Sequence, residues 1–207
     1  RELVLEAVRQ NGRALSLAHE HFKEDREIVL EAVRQEGCAL EYASADLRSD
    51  RELAFEALRL NRWAFMHAHA KFHSDRDMVL EAVRQDGHLL GYCSEHLKTD
   101  RELVLEAVRQ NGRALSLAHE HFKEDREIVL EAVRQEGCAL EYASADLRSD
   151  RELAFEALRL NRWAFMHAHA KFHSDRDMVL EAVRQDGHLL GYCSEHLKTD
   201  RELVLEA

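Results

Sequence analysis

The chain has 207 residues, 45% of them hydrophobic and 33% charged, with 29 basic against 40 acidic side chains and a formal net charge of −11. Acidic charge spread evenly along the chain argues against nucleic acid as the main partner, because phosphate binding draws on a positive surface. No apolar run approaches the roughly 20 residues of a membrane-spanning helix, so no membrane insertion is expected.

Residues 1–100 recur letter for letter as 101–200, and 201–207 restart the series. Within each hundred lies a period of 25 residues: Arg1-Glu2-Leu3-Val4-Leu5-Glu6-Ala7-Val8 returns from Arg26, from Arg51 and from Arg76. A period of this length marks a stacked array of small structural units, each unable to bury its apolar face alone. The copies run 1–25, 26–50, 51–75, 76–100, 101–125, 126–150, 151–175 and 176–200, with 201–207 a partial ninth. Residues 1–207 are expected to form one continuous array. A position within a copy is called its phase below.

In chain order, each copy is preceded by an Asp: Asp25, Asp50, Asp75, Asp100, Asp125, Asp150, Asp175 and Asp200. Asp is a strong helix N-cap, since its carboxylate accepts from an otherwise orphaned backbone N–H. An acidic residue in the first turn (Glu27, Glu52, Asp77) complements the helix dipole. Leu3, Val4, Ala7 and Val8 then fall on one helical face, which predicts a first helix ending near Gln10-Asn11-Gly12. Gly12, Gly37 and Gly87 are expected as left-handed residues just past the helix end; the third copy has Arg62 there. Ala14, Leu15, Ala18 and Phe22 predict a second helix with one buried face. The expected fold is all-α: an α-solenoid of eight 25-residue helix-turn-helix repeats. In the third copy Val4, Leu5 and Leu15 become Ala54, Phe55 and Phe65, the volume exchange of a packed core.

The second copy, Asp25-Arg26-Glu27-Ile28-Val29-Leu30-Glu31-Ala32-Val33-Arg34-Gln35-Glu36-Gly37-Cys38-Ala39-Leu40-Glu41-Tyr42-Ala43-Ser44, resembles the repeat of the domain-of-unknown-function 4116 family. The resemblance extends over all eight copies, with departures at Leu60, Arg62 and Leu89. It implies tandem helical hairpins and carries no catalytic or binding residue across.

Cys38, Cys93, Cys138 and Cys193 lie in alternate copies. At about 10 Å per packed helix layer they stand too far apart for intrachain disulfides, which need Cα atoms within about 7 Å. Unpaired cysteines favour a reducing, intracellular compartment. Histidines recur at His19, His21, His67, His69, His73, His88 and His96. Two on one helix two positions apart, such as His19 and His21, point in divergent directions and are not expected to share an ion. His69 and His73 have helical ligand spacing, but no third ligand completes a set. No metal, cofactor or catalytic site is expected: Ser44, Ser74 and Ser94 sit near helix ends, and neither a phosphate loop nor a nucleophile elbow is present.

The third copy stands out. Leu60, Trp63 and Met66 replace residues that are polar or small elsewhere, and the group returns as Leu160, Trp163 and Met166. A repeated apolar patch containing Trp marks an interaction surface, set against the alternative that Trp63 folds over the turn into space left by Gly91. No polar capping repeat closes the array, so a segment of a longer protein or end-to-end stacking into a filament is expected. The partners expected are other copies of the chain or another protein, with a structural, self-assembling role first and a protein- or peptide-binding scaffold second.

Overall fold

The computed structural model describes residues 1–206, so Ala207 of the partial ninth copy lies outside the described residues. The chain divides into two compact units, Arg1–Leu97 and Lys98–Ala207. Each is an all-α repeat solenoid, and no strand occurs among the described residues. The long helices of the first unit are Glu2–Gln10, Arg26–Gln35, Arg51–Leu60 and Arg76–Gln85. Those of the second are Arg101–Gln110, Arg126–Gln135, Arg151–Leu160, Arg176–Gln185 and Arg201–Glu206. Their starts follow from the Asp residues. Asp25 Oδ1 accepts from the N–H groups of Glu27 at 3.1 Å and Ile28 at 3.3 Å, and Asp50 Oδ1 accepts from Leu53 at 3.0 Å. Asp75, Asp100, Asp125, Asp150, Asp175 and Asp200 cap in the same way.

The second half of each repeat is helical but is not one helix. In the first repeat a tight 3₁₀ segment, Gly12–Leu17, ends at Ala18, and a new helical turn runs from Glu20 to Lys23. Ala18 and His19 between them are extended. The break has a physical cause in the stacking. The N–H at the second extended position donates to a backbone carbonyl of the preceding repeat: Ser44 to Lys23 at 3.0 Å, His69 to Arg48 at 3.0 Å and Ser94 to His73 at 2.9 Å. In the second unit His119, Ser144, His169 and Ser194 do the same. A continuous helix would spend that N–H internally, so the repeat trades one intrahelical bond for a backbone clasp between neighbours.

The glycines are not left-handed, contrary to the expectation for Gly12, Gly37 and Gly87: no residue of either unit has positive φ among those described. The helix ends instead in an extended residue, Asn11, with φ −153° and ψ 113°. Glycine is needed because the next repeat comes too close. A Cβ at Gly12 would lie 2.4 Å from the Ala32 carbonyl oxygen. The third repeat, with Arg62 at this phase, departs from the pattern: a turn, then a short α-helix Ala64–His67 in place of the 3₁₀ segment.

Within each unit the long helices of successive repeats pack side by side, as do the segments that follow them. Phases 3, 4, 7, 8, 14 and 15 face the shared core, as in Leu53, Ala54, Ala57, Leu58, Ala64 and Phe65. Stacking, rather than the helix itself, produces the burial. Leu3 in the first repeat is 87% exposed, whereas Leu53, in the same Arg-Glu-Leu context two repeats later, is 0% exposed. Phe55 departs from the expected volume exchange. It is not in the core but lies on the outer face of its helix, with the Arg59 guanidinium 4.9 Å from its ring centre.

The charged phases couple neighbouring repeats. Arg51 Nε bonds Asp75 at 2.6 Å and its Nη2 reaches Asp77 at 3.3 Å, so one carboxylate both caps a helix and receives the preceding repeat's arginine. Arg1 grips Asp25 and Glu27 likewise, as Arg151 grips Asp175 and Asp177, and Arg176 grips Asp200 and Glu202. Arg26 breaks the series by reaching Glu56 instead, at 2.8 Å. The arginine hydrogen bond, ahead of the capped N–H groups, holds Asp25, Asp75, Asp175 and Asp200 below the ordinary carboxylate pKa. A carboxylate depressed in the folded state stabilises fully above its unfolded pKa of about 3.9 and loses that contribution as pH falls through the folded value. Urea midpoints are therefore expected to stay level between pH 7 and 5 and to drop steeply below about pH 4. An equal midpoint at pH 3 and pH 7 would refute the clasp as a source of stability.

Candidate protein-interaction groove

The Asn61 side chain sets the position of Trp63. The long helix stops at Leu60, Asn61 is extended, and its Oδ1 accepts from the Trp63 N–H at 3.1 Å. Trp63 then precedes the short helix Ala64–His67, which carries Met66 and His67. Phe65 from the same helix points into the core and is fully buried. The helical turn thus divides its side chains, Phe65 inward and Trp63 and Met66 outward.

Trp63 is 45% exposed, and its equivalent Trp163 is also 45% exposed. With Met66 and His67 it walls a groove of about 380 Å³ whose opposite side is Gln35, Glu36, Gly37 and Cys38 of the preceding repeat. Trp163, Met166 and His167 form the same groove in the second unit with Glu136, Gly137 and Cys138, about 350 Å³ in volume. Trp163 also borders a second, more open hollow of about 520 Å³ with Leu160, Arg162 and Gln185. In that unit Leu160 and Met166 therefore lie on different sides of the indole. Leu60 is 38% exposed at its helix end. The groove that Trp63 walls faces the second repeat, and in the second unit Trp163 does not fill the space at the glycine next door, since a Cβ added at Gly191 meets nothing within 4 Å.

The groove has a polar rim. Arg13, one repeat further back, reaches Glu36 at 3.0 Å, and Arg113 reaches Glu136 at 2.8 Å. A hydrogen bond to the Cys38 sulfur, and then the Glu36 charge, push the Arg13 pKa up. The Cys138 thiol lies 3.5 Å from a Glu136 oxygen. His67 Nδ1 stands 3.4 Å from Glu41 Oε2 on the neighbouring repeat, and the Arg62 guanidinium lies 4.9 Å from the Trp63 ring centre. The floor thus offers indole, thioether and thiol, while the rim offers paired charges of both signs. Such a surface suits an apolar side chain flanked by backbone polar groups.

None of the four cysteines is in a disulfide, Cys93 and Cys193 being buried and Cys38 and Cys138 half-buried. Burial pushes the Cys193 thiol pKa up. Among the described residues no three His, Cys, Asp or Glu side chains gather in metal-holding geometry, and no helix is long and apolar enough to cross a membrane. His69 and His73 each engage a different backbone group. His69 Nδ1 caps the Lys71 N–H at 3.2 Å, and His73 Nε2 lies 3.3 Å from the Phe65 carbonyl. Ser44 is also a cap, accepting from the Leu47 N–H. The sequence pattern did not reveal Cys38, Glu36 and Arg13 as partners of Trp63. Arg13, Cys38 and Trp63 share one phase of successive copies, so the stacking register sets them side by side, but the unlike residue types at that phase give no sign of a common groove.

These features define a tandem-repeat helical protein of the α-solenoid class. The chain belongs to the family described as Domain of unknown function (DUF4116), whose model matches residues 1–48, 36–73, 75–123, 125–172 and 175–207. No curated protein and no solved structure matches it.

Proposed function

We propose that the protein is a structural scaffold that works by holding protein surfaces rather than by catalysis, and that the Trp63 and Trp163 grooves seat apolar side chains of other copies of the chain. The supporting observation is a half-exposed tryptophan on a groove built across two repeats, present with the same residues in both units. Tryptophan in a pocket is a preferred anchor of protein interfaces. A polar rim around an apolar centre is the usual anatomy of such surfaces. Two equal grooves per chain permit two-point attachment, which raises avidity without new contacts.

The chain has only two tryptophans, so its fluorescence reports the grooves directly. Sedimentation of the intact protein at rising concentration is expected to show association accompanied by a blue shift of emission. The W63Q/W163Q variant is expected to remain dispersed with unchanged helix content. Wild-type protein that stays monomeric with constant emission at every concentration would remove the self-association reading. The paired charges at the rim favour a second reading, in which the grooves take a peptide of another protein. Its sign is an emission shift when a short apolar peptide is added to the monomer.

A further inference from the structure

We infer that His19 with His21, and His119 with His121, form surface chelates for a late first-row divalent cation, nickel(II) or copper(II). Two histidines separated by one residue diverge when both lie on a helix. Here only His21 does. His19 is the extended cap residue before Glu20–Lys23, with φ −63° and ψ 149°, and its Nδ1 faces the His21 N–H at 3.5 Å. That cap turns its ring back over the first helical turn. The two Nδ1 atoms consequently stand 2.9 Å apart, and those of His119 and His121 2.7 Å apart. The Phe22 ring, its centre 3.8 Å from that of His21, supports the second imidazole from beneath.

At this separation one ring donates its Nδ1–H and the other accepts. A cation replaces that shared proton: both Nδ1 lone pairs ligate, and the displaced proton moves through solvent to Nε2 of the donating ring, leaving each imidazole neutral. Metal–nitrogen bonds of about 2.0–2.1 Å place two ligand nitrogens about 2.9 Å apart at a right angle and about 3.4 Å apart in a tetrahedron. The pair matches the right angle, the geometry of tetragonal copper(II) and nickel(II) rather than of tetrahedral zinc. Glu20, between the histidines, is drawn to Lys23 Nζ at 2.7 Å, so water completes the coordination.

The other repeats supply controls. His69 caps its turn as His19 does, but Lys71 stands where the second imidazole would be. Repeat two has Ser44 and Asp46 at these phases, and repeat four has Ser94 and His96. Nickel(II) chloride is the suitable probe, because it does not oxidise the half-buried Cys38 and Cys138 thiols. Calorimetric titration of the whole chain is expected to show two equivalent sites. His21→Lys with His121→Lys, which installs repeat three's own residue, is expected to weaken them roughly 100-fold or more, since even outer-shell changes cost about 10–100-fold. His69→Ser with His169→Ser is expected to leave them intact. Circular dichroism checks that both variants keep their helix content. Absence of nickel binding to wild type, unchanged binding by the lysine variant, or loss of binding in the serine variant would each overturn the assignment.

Discussion

Replacing Phe65 and Phe165 with alanine is expected to destabilise each unit by about 3–5 kcal/mol, the ordinary cost of deleting a buried aromatic side chain. Phe65 is 0% exposed and Phe165 1% exposed, so both rings leave real cavities. Collapse is limited because the neighbouring long helix offers only Ala54 where the other repeats carry valine, and Ala54 is itself buried. The same reasoning fixes the rescue. Phe65→Leu alone installs the residue of the other repeats without their valine. Adding Ala54→Val recreates the pair found as Val29 with Leu40 and as Val79 with Leu90. The double variant is therefore expected to be more stable than Phe65→Leu alone, although each change singly disturbs a packed core. Urea denaturation followed by tryptophan emission measures all three, because Trp63 lies two residues away. Equal stability of the single and double variants would show that the two positions do not share a cavity.

How much was legible in the sequence depends on whether the signal repeats. The cap Asp25 and the core phases of Ile28, Val29, Ala32 and Val33 recur every 25 residues, and the period alone dictates an all-α stack. Trp63 stood out as an apolar residue at a polar phase, and the structure places it half-exposed on a groove. Three features were hidden by the physics of stacking. The break at Ala43 and Ser44 carries no proline or glycine, because the Ser44 N–H is spent on the Lys23 carbonyl of the preceding repeat. The role of Gly37 belongs to contact between repeats rather than to a left-handed turn. The His19–His21 pair was masked by assuming a helix where the chain is extended, an error of one cap residue that reverses the direction of an imidazole.

Glycine substitutions separate close approach from chain flexibility, because the two predict opposite signs. Gly→Ala at a position whose φ suits alanine normally stabilises by about 0.4–1 kcal/mol, by narrowing the unfolded ensemble. No glycine here has positive φ, so that gain is open to all of them. Gly191 receives it in full: an added methyl meets nothing within 4 Å, and Gly191→Ala is expected to raise stability by about 0.5 kcal/mol. At Gly37 the methyl would lie 2.4 Å from Asn61 Oδ1 and 2.9 Å from the Ala64 backbone nitrogen. The first is held in place by the Trp63 N–H, and the second cannot move without moving its helix. Overpacking of this kind costs about 1–3 kcal/mol, so Gly37→Ala and Gly137→Ala are expected to be net destabilising. The clash falls on the atom that positions the indole, so these variants are also expected to shift tryptophan emission, while Gly191→Ala leaves it unchanged. Thermal unfolding of the variants decides the matter. Stabilisation by Gly37→Ala would mean that the repeats stand further apart than these contacts require, and the groove would then lose the wall that Gly37 provides.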